Sequence, residues 1–122
     1  MAKTIMIVDD SATLRQVVSI ALKGAGYDVL EASDGKDALA RLTGQKVHLV
    51  ISDVNMPNMD GLTFVTEMKK LPAYKFTPVI MLTTEAGADK KAQGQAAGAK
   101  AWVVKPFQPA QMLAAVSKLV LP

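Results

Sequence analysis

The sequence predicts an α/β fold of the (βα)5 type, a doubly wound five-stranded parallel sheet covered by helices on both faces. Three observations carry this expectation. Short apolar runs rich in β-branched residues recur along the chain, as strands buried on both faces of a parallel sheet do. Between them lie segments whose apolar residues are spaced three and four apart, giving a regular strand–helix alternation. Finally, four of the runs end in a polar residue able to bind a cation or a phosphoryl group.

The first strand is Ile5-Met6-Ile7-Val8, running into Asp9 and Asp10. Ser11 is a suitable N-cap, and Leu14, Val17, Val18, Ala21, Leu22 and Ala25 follow at helical spacing until Gly24 or Gly26 ends the helix. Asp28–Ala32 is a short second strand. Asp34 can cap a second helix carrying Ala38, Leu39 and Leu42, stopped by Gly44. His48–Ser52 is the third strand, and the loop from Asp53 to Asp60 leads to a helix starting near Gly61. That helix buries Leu62, Val65 and Met68 and ends by Pro72. Pro78–Leu82 is the fourth strand. After a loop, Asp89 to about Ala97 forms a weak fourth helix, poor in apolar residues and interrupted by Gly94. Ala101–Val104 is the fifth strand. A last helix from about Pro109 carries Met112, Leu113, Val116, Leu119 and Val120 on one face.

In open parallel sheets, ligands sit beyond the carboxyl ends of the strands. The four polar strand ends therefore deliver Asp9, Asp10 and Asp53, the Thr83 hydroxyl and the Lys105 ammonium to one edge. Carboxylates that close repel, unless one is protonated or a cation binds, and Mg²⁺ is the natural cation for hard oxygen donors. Asp53 ends the central strand and is the candidate nucleophile, since a carboxylate can accept a phosphoryl group. Of the three oxygens so introduced, Mg²⁺ can neutralise one, Lys105 a second, and the Thr83 hydroxyl can donate to the third. The Asn55 backbone carbonyl, two residues beyond Asp53, can complete the metal shell. Lys105-Pro106 is a candidate cis peptide that would aim the ammonium inward. Taken singly, an Asp-Asp pair is usually a cap or a turn, a strand-end Thr a good strand former, and Lys-Pro a loop. Their joint occurrence on four strand ends is what points to a site.

The chain has 122 residues, the size of one domain, with 50% hydrophobic residues and no cysteine, so neither a disulfide framework nor a thiolate metal site is expected. No signal-peptide segment precedes the first strand and no run approaches membrane-spanning length, so a soluble, cytoplasmic protein is expected; a monomer is expected as well. The net charge of +3 is spread along the helices without a basic stripe, which argues against nucleic acid as a partner. His48, the only histidine, opens the third strand away from the acidic edge and reads as a surface residue. Met56 and Met59 stand apart from the other methionines as residues that could face a partner.

The segments VDDSATLR, SDVNMPNMDG, PVIMLTTEA and GAKAWVVKPF, with the apolar helix after them, resemble the receiver domain of two-component response regulators. Within that family the chain is similar to the stand-alone, CheY-like chemotaxis members that have no output domain, and the resemblance covers essentially all of it. It implies a flavodoxin-like strand order, 2-1-3-4-5. It implies Asp53 as phosphoacceptor, Asp9 and Asp10 as the acidic metal pair, Asn55 as carbonyl ligand, Thr83 as switch hydroxyl and Lys105 as the phosphoryl-contacting lysine. It also implies Mg²⁺ as cofactor and a CheA-like histidine kinase as phosphodonor. The implied target is a flagellar motor switch protein or another protein, with a phosphatase as a further partner. The chain would catalyse only its own phosphorylation and dephosphorylation and would not be a conventional enzyme.

Two positions depart from the common pattern. The aromatic that the family couples to the switch hydroxyl is here Trp102, larger than the usual residue and with only an N–H donor, so a fixed structural indole and a moving one both remain open. Thr84 stands where the family usually has a smaller residue, and its branched side chain could narrow access to a phosphoryl group, while the resemblance implies that Asn55 and Glu85 tune its hydrolysis. A phosphate sink or relay intermediate is the alternative within the family. Outside it, a small Mg²⁺-dependent phosphatase would want an Asp at position 55, and a flavodoxin-like cofactor binder would want a Ser/Thr/Gly-rich phosphate loop after the first strand. A vestigial adaptor would not need five intact site residues.

Overall fold

A computed structural model describes residues 3–42, 45–54, 56, 58–83, 99–104 and 108–120. The five apolar runs form strands β1 (Thr4–Val8), β2 (Asp28–Ala32), β3 (Leu49–Asp53), β4 (Val79–Thr83) and β5 (Ala101–Val104). All neighbouring strands are parallel. Their order is β2-β1-β3-β4-β5, so the chain steps outward from β1 to β2 and then returns past β1 to β3. The strand order reverses between β1 and β3, which makes the carboxyl end of that pair the crevice where ligands bind in such sheets.

Side chains alternate along each strand, and both faces are covered. Met6, Val50 and Met81 face Phe64, Val65 and Met68 of α3 (Gly61–Lys69) and Ala38 of α2 (Gly35–Arg41). Ile5, Ile7, Ile51 and Leu82 face Val18 and Leu22 of α1 (Ala12–Gly24) and Met112 and Val116 of the last helix, α4 (Pro109–Leu119). Each such aliphatic or aromatic side chain contributes about 1.5–3 kcal/mol on burial, which is why the middles of the central strands are apolar.

The helix starts follow the local capping chemistry. Ser11 accepts from the Leu14 amide at 3.2 Å, Asp34 from Asp37 at 2.8 Å and Asp60 from Thr63 at 2.7 Å. Past α1, Gly26 takes a left-handed φ of 96° and the chain turns into β2. The expected stop at Gly44 lies outside the described residues, and α2 already ends at Arg41. Pro72 opens a short 3-10 turn to Tyr74 rather than ending α3 directly, since α3 stops at Lys69. The expected helix over 89–97 also lies outside the described residues.

Several expectations need correction. The third and fourth strands run one residue later than the apolar runs suggest, at Leu49–Asp53 and Val79–Thr83. The Pro78 ring has no N–H for the ladder, and its carbonyl serves instead as acceptor for Val50. Asp53 is kept in strand geometry because it pairs in register with Leu82. In α1, Val17 is 47% exposed, as is Ile20 at 65%, because the positions that reach the sheet are Leu14, Val18 and Leu22, four residues apart. In α3 the buried set includes Phe64, whereas Leu62 is only half-buried. Met56 and Met59 pack against the core beneath α2 and α3 instead of standing out for a partner. His48 is more than a surface residue, since its Nδ1 accepts the Thr4 amide at 3.0 Å and its own amide donates to the Thr4 carbonyl at 2.8 Å.

Candidate functional site

Val8 and Ser52 are paired in register, so Asp9 and Asp53 leave β1 and β3 side by side and Asp10 follows on the loop. One carboxylate oxygen from each of Asp9, Asp10 and Asp53 lies within 4.8 Å of the others. Asp9 is fully buried, Asp53 is 7% exposed and Asp10 faces solvent. At that spacing each ionised pair repels by about 3 kcal/mol at an effective dielectric constant near 20. The donor set is all hard oxygen, with neither imidazole nor thiolate, and it fits Mg²⁺ or Ca²⁺ rather than a softer metal.

Each carboxylate is oriented by the backbone around it. Asp9 Oδ1 accepts from the Ser11 amide at 2.8 Å, so the same turn that caps α1 also aims the acid. The Asp9 amide donates to the Ala32 carbonyl at 3.1 Å, extending the β1–β2 pairing to the site. Arg15 donates to the Asp9 carbonyl at 2.5 Å and pairs with Glu31 of β2 at 3.4 Å, pinning the end of β1 from the α1 side. Asp53 Oδ1 accepts from the Val54 amide at 2.8 Å, which fixes its rotamer, and the Ser52 hydroxyl donates to the Asp53 carbonyl.

The N-terminus of α3 closes the base of the loop behind Asp53. The Gly61 amide donates to the Val54 carbonyl at 2.8 Å, and a Cβ on Gly61 would fall 2.0 Å from the Asp53 carbonyl oxygen. Only glycine allows that approach.

The structure therefore brings together the three acidic residues expected from the sequence. Thr83 ends β4 next to this edge, one residue past Leu82, which pairs with Asp53, and Thr83 itself pairs with Val104. Trp102 on β5 pairs with Met81 and lies half-buried against the core cluster under α2 and α3; among the described residues its buried indole N–H has no hydrogen-bond partner. Asn55, Thr84, Glu85, Lys105 and Pro106, and with them the candidate cis peptide, lie outside the described residues. Sequence reasoning passed over Arg15 and Gly61 as site residues. Arg15 lies within the VDDSATLR segment, and Gly61 follows the cap Asp60, so a signal for both was present.

The model of the response regulator receiver domain matches residues 5–117. Protein PilG of Pseudomonas aeruginosa is 38% identical over 112 residues, spanning 92% of this chain and 83% of PilG. Chemotaxis protein CheY1 of Helicobacter pylori is 38% identical over 107 residues, 86% of each chain. Among solved structures, the Vibrio cholerae chemotaxis protein CheY4 superposes with a TM-score of 0.94 at 44% identity, covering 98% of this chain and 99% of that one.

Proposed function

The chain belongs to the response regulator receiver domain family, and from that premise we propose that it is a phosphorylation-dependent switch with Asp53 as phosphoacceptor. The observation that carries this reading is the convergence of Asp9, Asp10 and Asp53 at the point where the strand order reverses. A carboxylate oxygen of Asp53 attacks the phosphorus of a phosphohistidine on a CheA-like kinase; the P–O bond forms as the P–N bond breaks, and the imidazole leaves with the electron pair. Asp9, Asp10, Asp53 and the Asn55 carbonyl would hold Mg²⁺, which supplies charge neutralisation for the transferring phosphoryl oxygens. Lys105 and Thr83 take the remaining oxygens. The Val54 amide keeps Asp53 in the attacking rotamer, while the buried Asp9 anchors the cation side.

The phosphoryl charge then biases two packings of the surface that β5 and α4 present. A groove of about 380 Å³ between β5 and α4, lined by Lys100, Trp102, Gln111, Lys118 and Leu119, supports that surface as the place where a protein target docks. Similarity to proteins named for chemotaxis favours a flagellar motor switch protein as target. A cytoplasmic location is part of this reading; among the described residues no helix is long and apolar enough to cross a membrane. Incubation with acetyl phosphate and Mg²⁺ should add one phosphate by intact mass, and Asp53→Asn should abolish it. Labelling that persists in Asp53→Asn would remove Asp53 from the role.

A further inference from the structure

The loop that follows Asp53 is tied at two places by different residues. Its base is closed by the Gly61 amide on the Val54 carbonyl. Its tip is tied to another part of the sheet edge: Asn58 Nδ2 donates to Asp34 Oδ2 at 2.8 Å, and the Gly35 amide donates to the Met59 carbonyl at 3.4 Å. Asn58 has a left-handed φ of 66°, a conformation that asparagine tolerates better than most residues. Asp34 does two jobs with one carboxylate, because its Oδ1 caps α2 through the Asp37 amide while Oδ2 holds the loop. The fit is close on both sides, since a Cβ on Gly35 would meet Met59 Cγ at 2.7 Å. These bonds, the Asp37 amide first and Asn58 second, hold the Asp34 carboxyl below its ordinary value, so it is ionised and a strong acceptor at neutral pH.

We propose that Asp34 and Asn58 are positioning residues for phosphoryl transfer: their hydrogen bond fixes the loop after Asp53 and so sets the affinity of the acidic site for Mg²⁺. The inference rests on Asp53 being the phosphoacceptor. Position 55, whose carbonyl the proposed function assigns to the metal, lies in the chain between the two ties. Asp34 is itself another acid at this edge of the sheet, but its two oxygens are committed to Asp37 and Asn58, so its part is to hold the loop.

Two substitutions separate the tie from its surroundings. Asn58→Gly keeps the left-handed backbone accessible and deletes the amide. Asp34→Ser keeps an oxygen to cap α2 and is too short to reach Asn58. A third variant, Asp34→Asn, can restore the bond, because a rotated Asn58 amide presents its oxygen to the new amide nitrogen. Mg²⁺ affinity is read by calorimetry, and labelling by acetyl phosphate is followed across a Mg²⁺ series, with melting temperature as a control. Asn58→Gly and Asp34→Ser should each raise the half-saturating Mg²⁺ concentration roughly three- to tenfold, the effect of one lost hydrogen bond at an exposed position. The labelling rate at saturating Mg²⁺ should stay within about twofold of the parent, because Asp53 keeps its own bond to Val54. The double variant should be no worse than either single one, and Asp34→Asn should lie close to the parent. Unchanged Mg²⁺ midpoints, additive effects, or an Asp34→Asn variant as impaired as Asp34→Ser would each overturn the inference. A parent protein that binds Mg²⁺ but takes no phosphate would instead refute the phosphoacceptor reading, with the calorimetric midpoints still deciding on the tie.

Discussion

Replacing Gly61 with alanine places a methyl carbon where the backbone of Asp53 already stands. The added Cβ would lie 2.0 Å from the Asp53 carbonyl oxygen, 2.9 Å from its carbon and 3.0 Å from Met81 Cε. Ordinary contact begins at 3.4 Å, so α3 and the end of β3 must separate by roughly 1.4 Å. Two consequences follow from that displacement. Overpacking of this kind costs about 1–3 kcal/mol, and stretching the Gly61–Val54 hydrogen bond adds about 1 kcal/mol, so a loss of roughly 2–4 kcal/mol is expected. Moving a reacting group by about 1 Å typically costs about a hundredfold in rate, so labelling of Asp53 should slow by that order even in the fraction that is folded. The assay pairs urea unfolding with the initial rate of acetyl phosphate labelling at saturating Mg²⁺, corrected for folded fraction. Parent-like labelling and an unchanged urea midpoint in Gly61→Ala would show that α3 does not press on the end of β3, and the account of the loop base would fall.

Asp10→Asn should raise the melting temperature in EDTA by relieving carboxylate repulsion, about 1 kcal/mol once screening at this exposed position is allowed for, while weakening stabilisation by added Mg²⁺; a drop in EDTA would contradict the repulsion. Burial, and then Lys3 and Lys46, hold the His48 imidazole below its ordinary value. The unfolded chain therefore takes up the proton first, and this contribution, intact above pH 6.5, is lost as pH falls through the lower folded-state value. Urea midpoints from pH 7.5 to 5 should show that decline, and His48→Gln should flatten it. Phe64→Ala removes a fully buried ring from between α3 and the sheet and should cost about 3–5 kcal/mol in urea unfolding, with Leu62→Ala costing clearly less because that side chain is half-buried.

What could be read from the sequence divides along the range of the interactions. Ser11 and Asp34 announce their helices because a cap bonds an amide three residues away, and the match between residue type and local backbone is complete in a few positions. The acidic cluster was legible for a related reason: a strand that ends in Asp after an apolar run places that Asp at a known edge, whatever the distant partner is. Phe64 was missed because its burial depends on how α3 rolls on the sheet, and Leu62 offers an equally good periodic pattern. Arg15 looks like an ordinary helix residue until β2 brings Glu31 beside it. His48 shows its acceptor role only when β1 lies alongside, 44 residues away in the chain. The tie between Asn58 and Asp34 is of the same kind, since neither residue predicts the other.

The return of the chain past β1 also sets a calendar for synthesis. Asp9 and Asp53 are separated by 44 residues, and β1 first meets β2 on its other flank. A growing chain can thus pair β1 with β2 while the flank beside Asp9 stays open, and the mutual repulsion of the acids is not felt until β3 has emerged and inserted. That unfavourable contact is deferred until β1, α1, β2 and α2 have already been made. A nascent or truncated chain ending before β3 lacks Asp53 and cannot form the acidic cluster. The three acids come together only once β3 lies beside β1.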